Sequence, residues 1–161
     1  MHTYGPDHVQ AALEDLGLDI KIKIFEQPTS TAQEAADAVG TELGSIVKSL
    51  CFTIKGEPIV VLTSGDKMVD TKKLAGMHEV GRKKVKIASP ELTIEETGYA
   101  PGGVAPVGHS LDLPIFIDEK LGRFETVYAA AGSDNSIFPI PFETLVSVTG
   151  GQIADVVVED S

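Results

Sequence analysis

The chain has 161 residues, 42% of them hydrophobic and 23% charged, and this excludes both a disordered chain and a pair of ordinary domains. Its single cysteine, Cys51, excludes an internal disulfide framework and a cysteine-based zinc cluster. No segment approaches the ~20 apolar residues that span a bilayer, and the first ten residues lack a signal-peptide pattern. We therefore expect residues 1–161 to form one soluble, cytoplasmic domain without a membrane partner.

The first third of the chain alternates between helical and extended patterns. A helix is predicted over 6–17, and its expected apolar face consists of Val9, Leu13 and Leu16. Isoleucines alternate with lysines over 20–24, which is the period of a half-buried strand. A second helix is predicted over 31–40, because Thr31 and Glu34 have the spacing of a capping box.

The rest of the chain is rich in short strands. Residues 46–54 and 59–63 are predicted to form a hairpin through the turn-rich segment 55–58. The other predicted elements are a helix at 70–74, a strand at 85–88, a helix at 89–98, strands at 114–118, 124–130 and 152–158, and short helices near Glu119 and Phe142. Strands joined by both hairpins and helices indicate an α+β domain with a mixed sheet.

Charge is distributed unevenly along the chain. The net charge is −11, which argues against a protein that holds a long stretch of nucleic-acid backbone. Seven of the thirteen basic residues nevertheless lie close together, at Lys67, Lys72, Lys73, Arg82, Lys83, Lys84 and Lys86. This cluster suits either contact with a nucleic acid at one small site or an ordinary solvated surface.

Lys48 is the most informative single residue. In a strand over 46–54 it falls on the same face as Leu50, Phe52 and Ile54, which are large and apolar. Such a lysine either extends its amine to water, pairs with an anion or lines a cleft. In a cleft, its charge would bind a carbonyl, phosphate or ribose group.

A stiff glycine- and proline-rich loop is predicted over 101–108. Glycines allow backbone N–H groups to approach a ligand, and prolines restrict the loop so that those groups are already positioned. Fixed backbone donors stabilise the oxyanion of ester hydrolysis. The loop could also be a plain connection between a helix and a strand.

Other candidate chemistry is limited. The small residues of 129–135 suit a pocket wall or a simple tight turn. No metal-ligand spacing is seen among the histidines, which are His2, His8, His78 and His109. Cys51 lies mid-strand and is expected to be a packed small side chain rather than a nucleophile.

In combination, these features resemble the YbaK/prolyl-tRNA synthetase-associated family of aminoacyl-tRNA deacylases. The resemblance runs from about Thr29 to Val158. Its landmarks are STAQEAADAVG (30–40), IVKSLCF (46–52), GDKMVDTKKLA (65–75), TGYAPGGVAPVGH (97–109) and YAAAGSDN (128–135).

The resemblance implies an α+β domain with a mixed, partly barrel-like sheet. It also implies that the protein hydrolyses, in trans, the ester that joins a wrong amino acid to a tRNA, usually a proline tRNA. It implies catalytic roles for Lys48, Gly102 and Gly103, with water as the attacking group, assisted by backbone groups and the terminal ribose hydroxyl. The substrate-binding residues expected on this basis are Ser49, Val104, Pro106, Gly108, His109, Gly132 and Ser133. The expected partners are the acceptor end of aminoacyl-tRNA and a prolyl-tRNA synthetase, with no cofactor and no metal.

Specificity and activity have alternatives. Relatives associated with alanine removal have a histidine after the AAG-like turn, whereas residues 133–141 here have none. The Gly108-His109 pair resembles subgroups that act on residues near alanine and 2-aminobutyrate, and a cysteine-tRNA deacylase is another candidate. One rival function is a binding module that does not hydrolyse its ligand. The other is a hydrolase of small esters, and the acidic net charge favours this second rival.

Overall fold

The computed structural model describes residues 3–159, so His2 lies outside the described residues. The helices are α1 (Pro6–Asp15), α2 (Ala32–Val39), α3 (Thr71–Met77), α4 (Pro90–Thr97) and α5 (Phe142–Thr149). The strands are β1 (Lys23–Ile24), β2 (Ile46–Ile54), β3 (Glu57–Ser64), β4 (Val85–Ile87), β5 (Ile115–Asp118), β6 (Thr126–Ala130), β7 (Ser136–Pro141) and β8 (Gln152–Ala154). Short 3₁₀ helices span Leu43–Ser45, Arg82–Lys84 and Glu119–Arg123.

One mixed sheet contains all eight strands, in the order β1-β7-β6-β2-β3-β5-β8, with β4 added beside β2. The β2–β6, β3–β5 and β5–β8 pairs are parallel, whereas β2–β3, β2–β4, β6–β7 and β1–β7 are antiparallel. The predicted α+β class and mixed sheet are therefore confirmed.

Local sequence signals explain several boundaries. Thr31 accepts a hydrogen bond from the Glu34 N–H at 3.1 Å, and the Glu34 carboxylate accepts one from the Thr31 N–H at 3.1 Å, completing the predicted capping box. β2 and β3 are joined by two residues, Lys55 and Gly56, both with positive φ (53° and 82°). This is the backbone conformation of a tight hairpin turn whose twist matches that of the strands.

Three predictions about elements are wrong in detail, and one strand was missed. The first helix ends at Asp15, so Leu16 lies beyond it and is 43% exposed. Only Lys23–Ile24 of the predicted strand 20–24 pairs with a neighbour, and Ile24 is 63% exposed because it lies at the edge of the sheet. The predicted strand 152–158 ends at Ala154. Strand β7 was not predicted, because its two prolines disfavour an internal strand.

The largest core cluster lies between the sheet, α1, α5 and the glycine-rich loop. Its members include Val9, Leu13, Leu62, Tyr99, Phe138 and Leu145. A second cluster packs the hairpin-turn end of β2 and β3 against α3. Its members include Phe52, Ile54, Val61 and Leu74. Apolar packing thus holds both ends of β2, through Val47 in the first cluster and through Phe52 and Ile54 in the second. None of the helices in residues 3–159 is long and apolar enough to cross a membrane.

Candidate active site

A cavity of about 220 Å³ opens beside the first half of β2. Four separate parts of the chain form its wall: the segment leading into α2, strand β2, the glycine-rich loop and strand β6. The lining residues are Thr29, Ser30, Thr31, Ala32, Ala35, Ile46, Val47, Lys48, Ser49, Leu50, Gly102, Val104, Tyr128, Ala129, Ala130 and Ile137. Of the predicted site residues, the structure thus brings together Lys48, Ser49, Gly102 and Val104.

The cavity exists because β2 changes partners along one edge. Its first residues, Ile46 and Val47, pair with β6, and its last three, from Phe52 onwards, pair with β4. Between these pairings, residues 48–50 have no strand partner on that side within the part of the chain described. Residues 48–50 line the cavity at this gap in the sheet.

The backbone N–H and C=O of Ser49 point towards this gap. The Gly65 N–H donates to the Ile46 carbonyl at 2.7 Å, and the Ala88 N–H donates to the Cys51 carbonyl, on the opposite edge of β2, at 2.9 Å. Because backbone groups alternate along an antiparallel strand, Ser49 directs its N–H and C=O to the same edge as Cys51, where the gap lies. The buried Ser49 hydroxyl oxygen has no hydrogen-bond partner among residues 3–159.

Lys48 is the cationic group of the cavity. Its ammonium donates a hydrogen bond to the Lys67 carbonyl oxygen, which fixes the side chain against the turn after β3. Burial lowers the pKa of Lys48 from its ordinary value, and the nearby Asp66 carboxylate partly opposes this shift. The half-buried ammonium is therefore poorly hydrated, which strengthens its attraction to an electron-rich ligand atom.

The turn that accepts the Lys48 hydrogen bond is fixed by Arg123. The Arg123 guanidinium donates to both carboxylate oxygens of Asp66, at 3.0 and 3.3 Å, and to the Ser64 hydroxyl at 3.0 Å. Its Nε donates to the Lys120 carbonyl at 2.7 Å. Sequence reasoning missed this residue, because 57 positions separate Arg123 from Asp66 and only the fold brings them together.

The first half of the glycine-rich loop supplies unoccupied backbone donors. No hydrogen bond is found for the N–H of Gly102 or Val104 within residues 3–159, and both residues line the cavity. Gly102 has φ +88°, which favours glycine. By contrast, the Gly103 N–H donates to the Ala100 carbonyl at 3.0 Å and is already used within a turn.

The second half of the loop faces a different hollow, of about 440 Å³, beside α1. Pro106, Gly108 and His109, which were expected to bind substrate, line that hollow and not the Lys48 cavity. His109 donates to the Ala105 carbonyl at 2.8 Å, and burial lowers the pKa of His109. In this structure these residues help to hold the loop.

Two further side chains hold the same part of the loop. The Tyr99 hydroxyl donates to the Val107 carbonyl at 2.7 Å, and the His8 Nε2 donates to the Gly108 carbonyl at 2.8 Å. His8 also stacks on Tyr4, with ring centroids 3.7 Å apart. Side-chain donors therefore bind consecutive loop carbonyls and restrict its conformation.

Gly132 and Ser133, also expected to bind substrate, do not line the Lys48 cavity. The Ser133 hydroxyl is hydrogen-bonded to Asn135 at 2.8 Å and to Ser136 at 2.6 Å, so it stabilises its own turn. The wall comes instead from Tyr128, Ala129 and Ala130, and the two alanines belong to the segment 129–135 that the sequence analysis offered as a pocket wall. Missed wall residues also include those at 29–32, where the sequence signals were the capping box and the family-like segment 30–40.

Cys51 is a buried thiol whose pKa burial raises to about 11. Residues 3–159 contain no group of three metal-binding side chains.

Outside the cavity lie four exposed cations that form no ion pair within the described chain: Arg82, Lys83, Lys84 and Lys86. We refer to these four residues as the basic segment. Lys73, by contrast, pairs with Asp155 at 2.9 Å.

Comparison with known proteins identifies the family. The model of a family described as an aminoacyl-tRNA editing domain matches residues 26–148, more than half of the chain. The chain belongs to this family. The predicted resemblance to tRNA-editing proteins is thereby confirmed.

Members of the editing-domain family that resemble this chain include free-standing proteins and parts of synthetases. EbsC of Enterococcus faecalis, described as a candidate Cys-tRNA(Pro)/Cys-tRNA(Cys) deacylase, is 30% identical over 132 residues, covering 81% of this chain and 79% of that protein. A proline–tRNA ligase of Maridesulfovibrio salexigens is 36% identical over 91 residues, covering 56% of this chain but 15% of the ligase. A crystal structure described as a candidate trans-editing enzyme for prolyl tRNA synthetase has a TM-score of 0.89 and 38% identity, covering 96% of this chain and 97% of that one.

Proposed function

We propose that this editing-domain protein hydrolyses the ester bond of mischarged aminoacyl-tRNA in trans, at the cavity around Lys48. One observation carries the proposal: the half-buried cation Lys48 lines the same small cavity as Gly102 and Val104, whose backbone N–H groups have no hydrogen-bond partner among residues 3–159. Such a set of positive groups suits the negative charge that develops on an ester carbonyl oxygen during hydrolysis. The similarity to EbsC and to the candidate trans-editing enzyme favours the same reaction.

The proposed attacking group is water. The lining residues include no histidine, cysteine, aspartate or glutamate, so none of them is an evident general base or a strong nucleophile. An aminoacyl ester is intrinsically reactive, and orientation of water with stabilisation of the oxyanion can supply the needed acceleration. As the ester C–O bond breaks, the proton of the attacking water is relayed through the neighbouring ribose hydroxyl, which takes it up and gives its own proton to the leaving ribose oxygen.

The size of the cavity supports a small amino acid as the bound group. About 220 Å³ is below the 300–1,000 Å³ that drug-sized ligands occupy, which suits an aminoacyl group rather than a whole nucleotide. Ala129, Ala130, Ile46 and Ile137 form much of the apolar wall. We assign alanine, cysteine, serine and 2-aminobutyrate as the amino acids to test.

The proposed partner is the acceptor end of a tRNA in the cytoplasm. Relatives that are proline–tRNA ligases favour a proline tRNA, and a prolyl-tRNA synthetase is a second proposed partner. The basic segment supplies positive charge that is unpaired within residues 3–159, in a protein of net charge −11. In the β2–β4 register Lys86 lies opposite Thr53, about 10 Å along the strand from the cavity residue Leu50.

The test is a panel of proline tRNAs charged with alanine, cysteine, serine or 2-aminobutyrate, together with tRNA correctly charged with proline. We expect rapid release of at least one small amino acid and slow release of proline. A folded protein that releases none of them would refute the proposed activity.

A small-ester hydrolase is the second candidate, because the net charge of −11 opposes binding of a polyanion. Comparing hydrolysis of an aminoacyl-tRNA with that of the methyl ester of the same amino acid separates the two. A much higher kcat/KM for the tRNA supports editing, whereas equal values support the small-ester hydrolase.

A further inference from the structure

The turn after β3 presents two different acceptors to Lys48. The Lys67 carbonyl accepts the Lys48 hydrogen bond, whereas the Asp66 carboxylate, one residue earlier, attracts the same ammonium without bonding to it. An ionised carboxylate binds an ammonium much more strongly than a neutral carbonyl does. Something must therefore keep Asp66 from becoming the partner of Lys48.

Arg123 meets this requirement by its geometry. Its guanidinium bonds both oxygens of Asp66, and the same guanidinium bonds Ser64, so the carboxylate is held by two parallel hydrogen bonds. The guanidinium is itself fixed by the Lys120 carbonyl and by the Phe124 ring, whose centroid is 5.1 Å away. The Ser64 hydroxyl donates in turn to the Gly44 carbonyl at 2.6 Å.

We propose that Arg123 is a positioning residue for Lys48: it binds Asp66 and so prevents that carboxylate from capturing the Lys48 ammonium. Lys48 then stays on the Lys67 carbonyl, a weaker partner, and remains available to the ester oxygen. This role rests on the proposed function of the Lys48 cavity. Arg123 does not line that cavity, so it acts through Asp66 and not on the substrate.

The decisive experiment compares Arg123→Gln with the double variant Arg123→Gln/Asp66→Asn. Arg123→Gln leaves Asp66 charged and free to bind Lys48, so we expect kcat for deacylation to fall about tenfold with a smaller change in KM. The double variant removes the carboxylate as well, and we expect kcat to return to within about threefold of the wild type. A double variant as slow as Arg123→Gln would overturn the proposal.

Control variants separate positioning from general stability. Lys73→Gln breaks a different ion pair, with Asp155, outside the cavity, and we expect wild-type kcat. Asp66→Asn alone should also retain activity, because Lys48 then has no competing carboxylate. Circular dichroism and thermal unfolding identify any variant that fails to fold.

A second measurement does not depend on catalysis. Acetylation of Lys48 by acetic anhydride, followed by mass spectrometry across a pH series, reports the fraction of neutral amine. We expect Arg123→Gln to move the acetylation profile to higher pH, because Asp66 then stabilises the ammonium, and the double variant to move it back. If the wild type shows no deacylation but the acetylation profile shifts as expected, the proposed reaction is refuted while the effect of Arg123 on Lys48 stands. An unchanged acetylation profile in Arg123→Gln would overturn the positioning role of Arg123.

Discussion

The Gly132 N–H donates to the Gly103 carbonyl oxygen at 3.0 Å, which ties the turn after β6 to the glycine-rich loop. A Cβ atom on Gly103 would lie 3.0 Å from the Ser133 nitrogen, and one on Gly132 would lie 2.7 Å from the Gly5 carbonyl carbon. The loop, the turn and the start of α1 are therefore packed backbone against backbone. This packing fixes the cavity donors Gly102 and Val104.

Gly132→Ala is expected to destabilise the protein by about 2 kcal/mol, because Gly132 has φ +94° and its new methyl would meet backbone atoms. Thermal unfolding should show a decrease in Tm of about 4–8 °C. Gly76→Ala in α3 is the matched control, since a Cβ there meets nothing within 4 Å. Equal Tm values for Gly132→Ala and the wild type would contradict the packing argument.

Ala130→Leu should change substrate preference. The larger side chain would reduce the cavity volume, so we expect release of 2-aminobutyrate to fall more than release of alanine. The measurement is the ratio of kcat/KM for the two aminoacyl-tRNAs. If both fall by the same factor, Ala130 is not part of the amino-acid pocket.

The basic segment should contribute to tRNA affinity through phosphate contacts. Lys83→Ala/Lys84→Ala is expected to weaken tRNA binding and to reduce the slope of log K against log salt by up to about 1.8, or about 0.9 per lost contact. Lys21→Ala/Lys23→Ala, at the other end of the sheet, removes the same charge and should change the slope less. Equal effects of the two double variants would indicate only nonspecific charge.

Cys51 should behave as an inert thiol. Because it is buried and its pKa is raised to about 11, we expect iodoacetamide to label it very slowly at pH 8 in the folded protein and quickly in denaturant. Cys51→Ala should keep its deacylation activity. Fast labelling of the folded protein with loss of activity would contradict this account.

Local patterns predicted much of the fold and part of the site. The alternation along 46–54 placed Lys48 correctly on a face with Phe52 and Ile54, and glycine content identified the loop that supplies Gly102. Gly102 and Val104 line the Lys48 cavity whereas His109 lines a separate hollow, and composition could not show this division of the loop. The sequence does not predict strand β7, because proline is unfavourable within a strand. Pro139 nevertheless pairs with Tyr128 in the sheet.

Contacts between distant segments were beyond prediction. The cavity margin at 29–32 and the Arg123–Asp66 pair depend on the packing of elements far apart in sequence. The capping box at Thr31 predicts a helix start but not a cavity wall, and no periodicity or short motif marks the Arg123–Asp66 pair. Sequence therefore indicated Lys48 of the candidate site but not the Arg123–Asp66 pair beside it.

The most direct test of the account is the single-turnover rate of ester hydrolysis for the wild type, Lys48→Ala and the control Lys21→Ala, each with the aminoacyl-tRNA that the wild type hydrolyses fastest. We predict that Lys48→Ala lowers this rate by about 10²–10³-fold, as expected for loss of one group that stabilises the oxyanion, and that Lys21→Ala leaves it unchanged. A wild-type rate in a folded Lys48→Ala protein would contradict the central claim that this cavity is the active site.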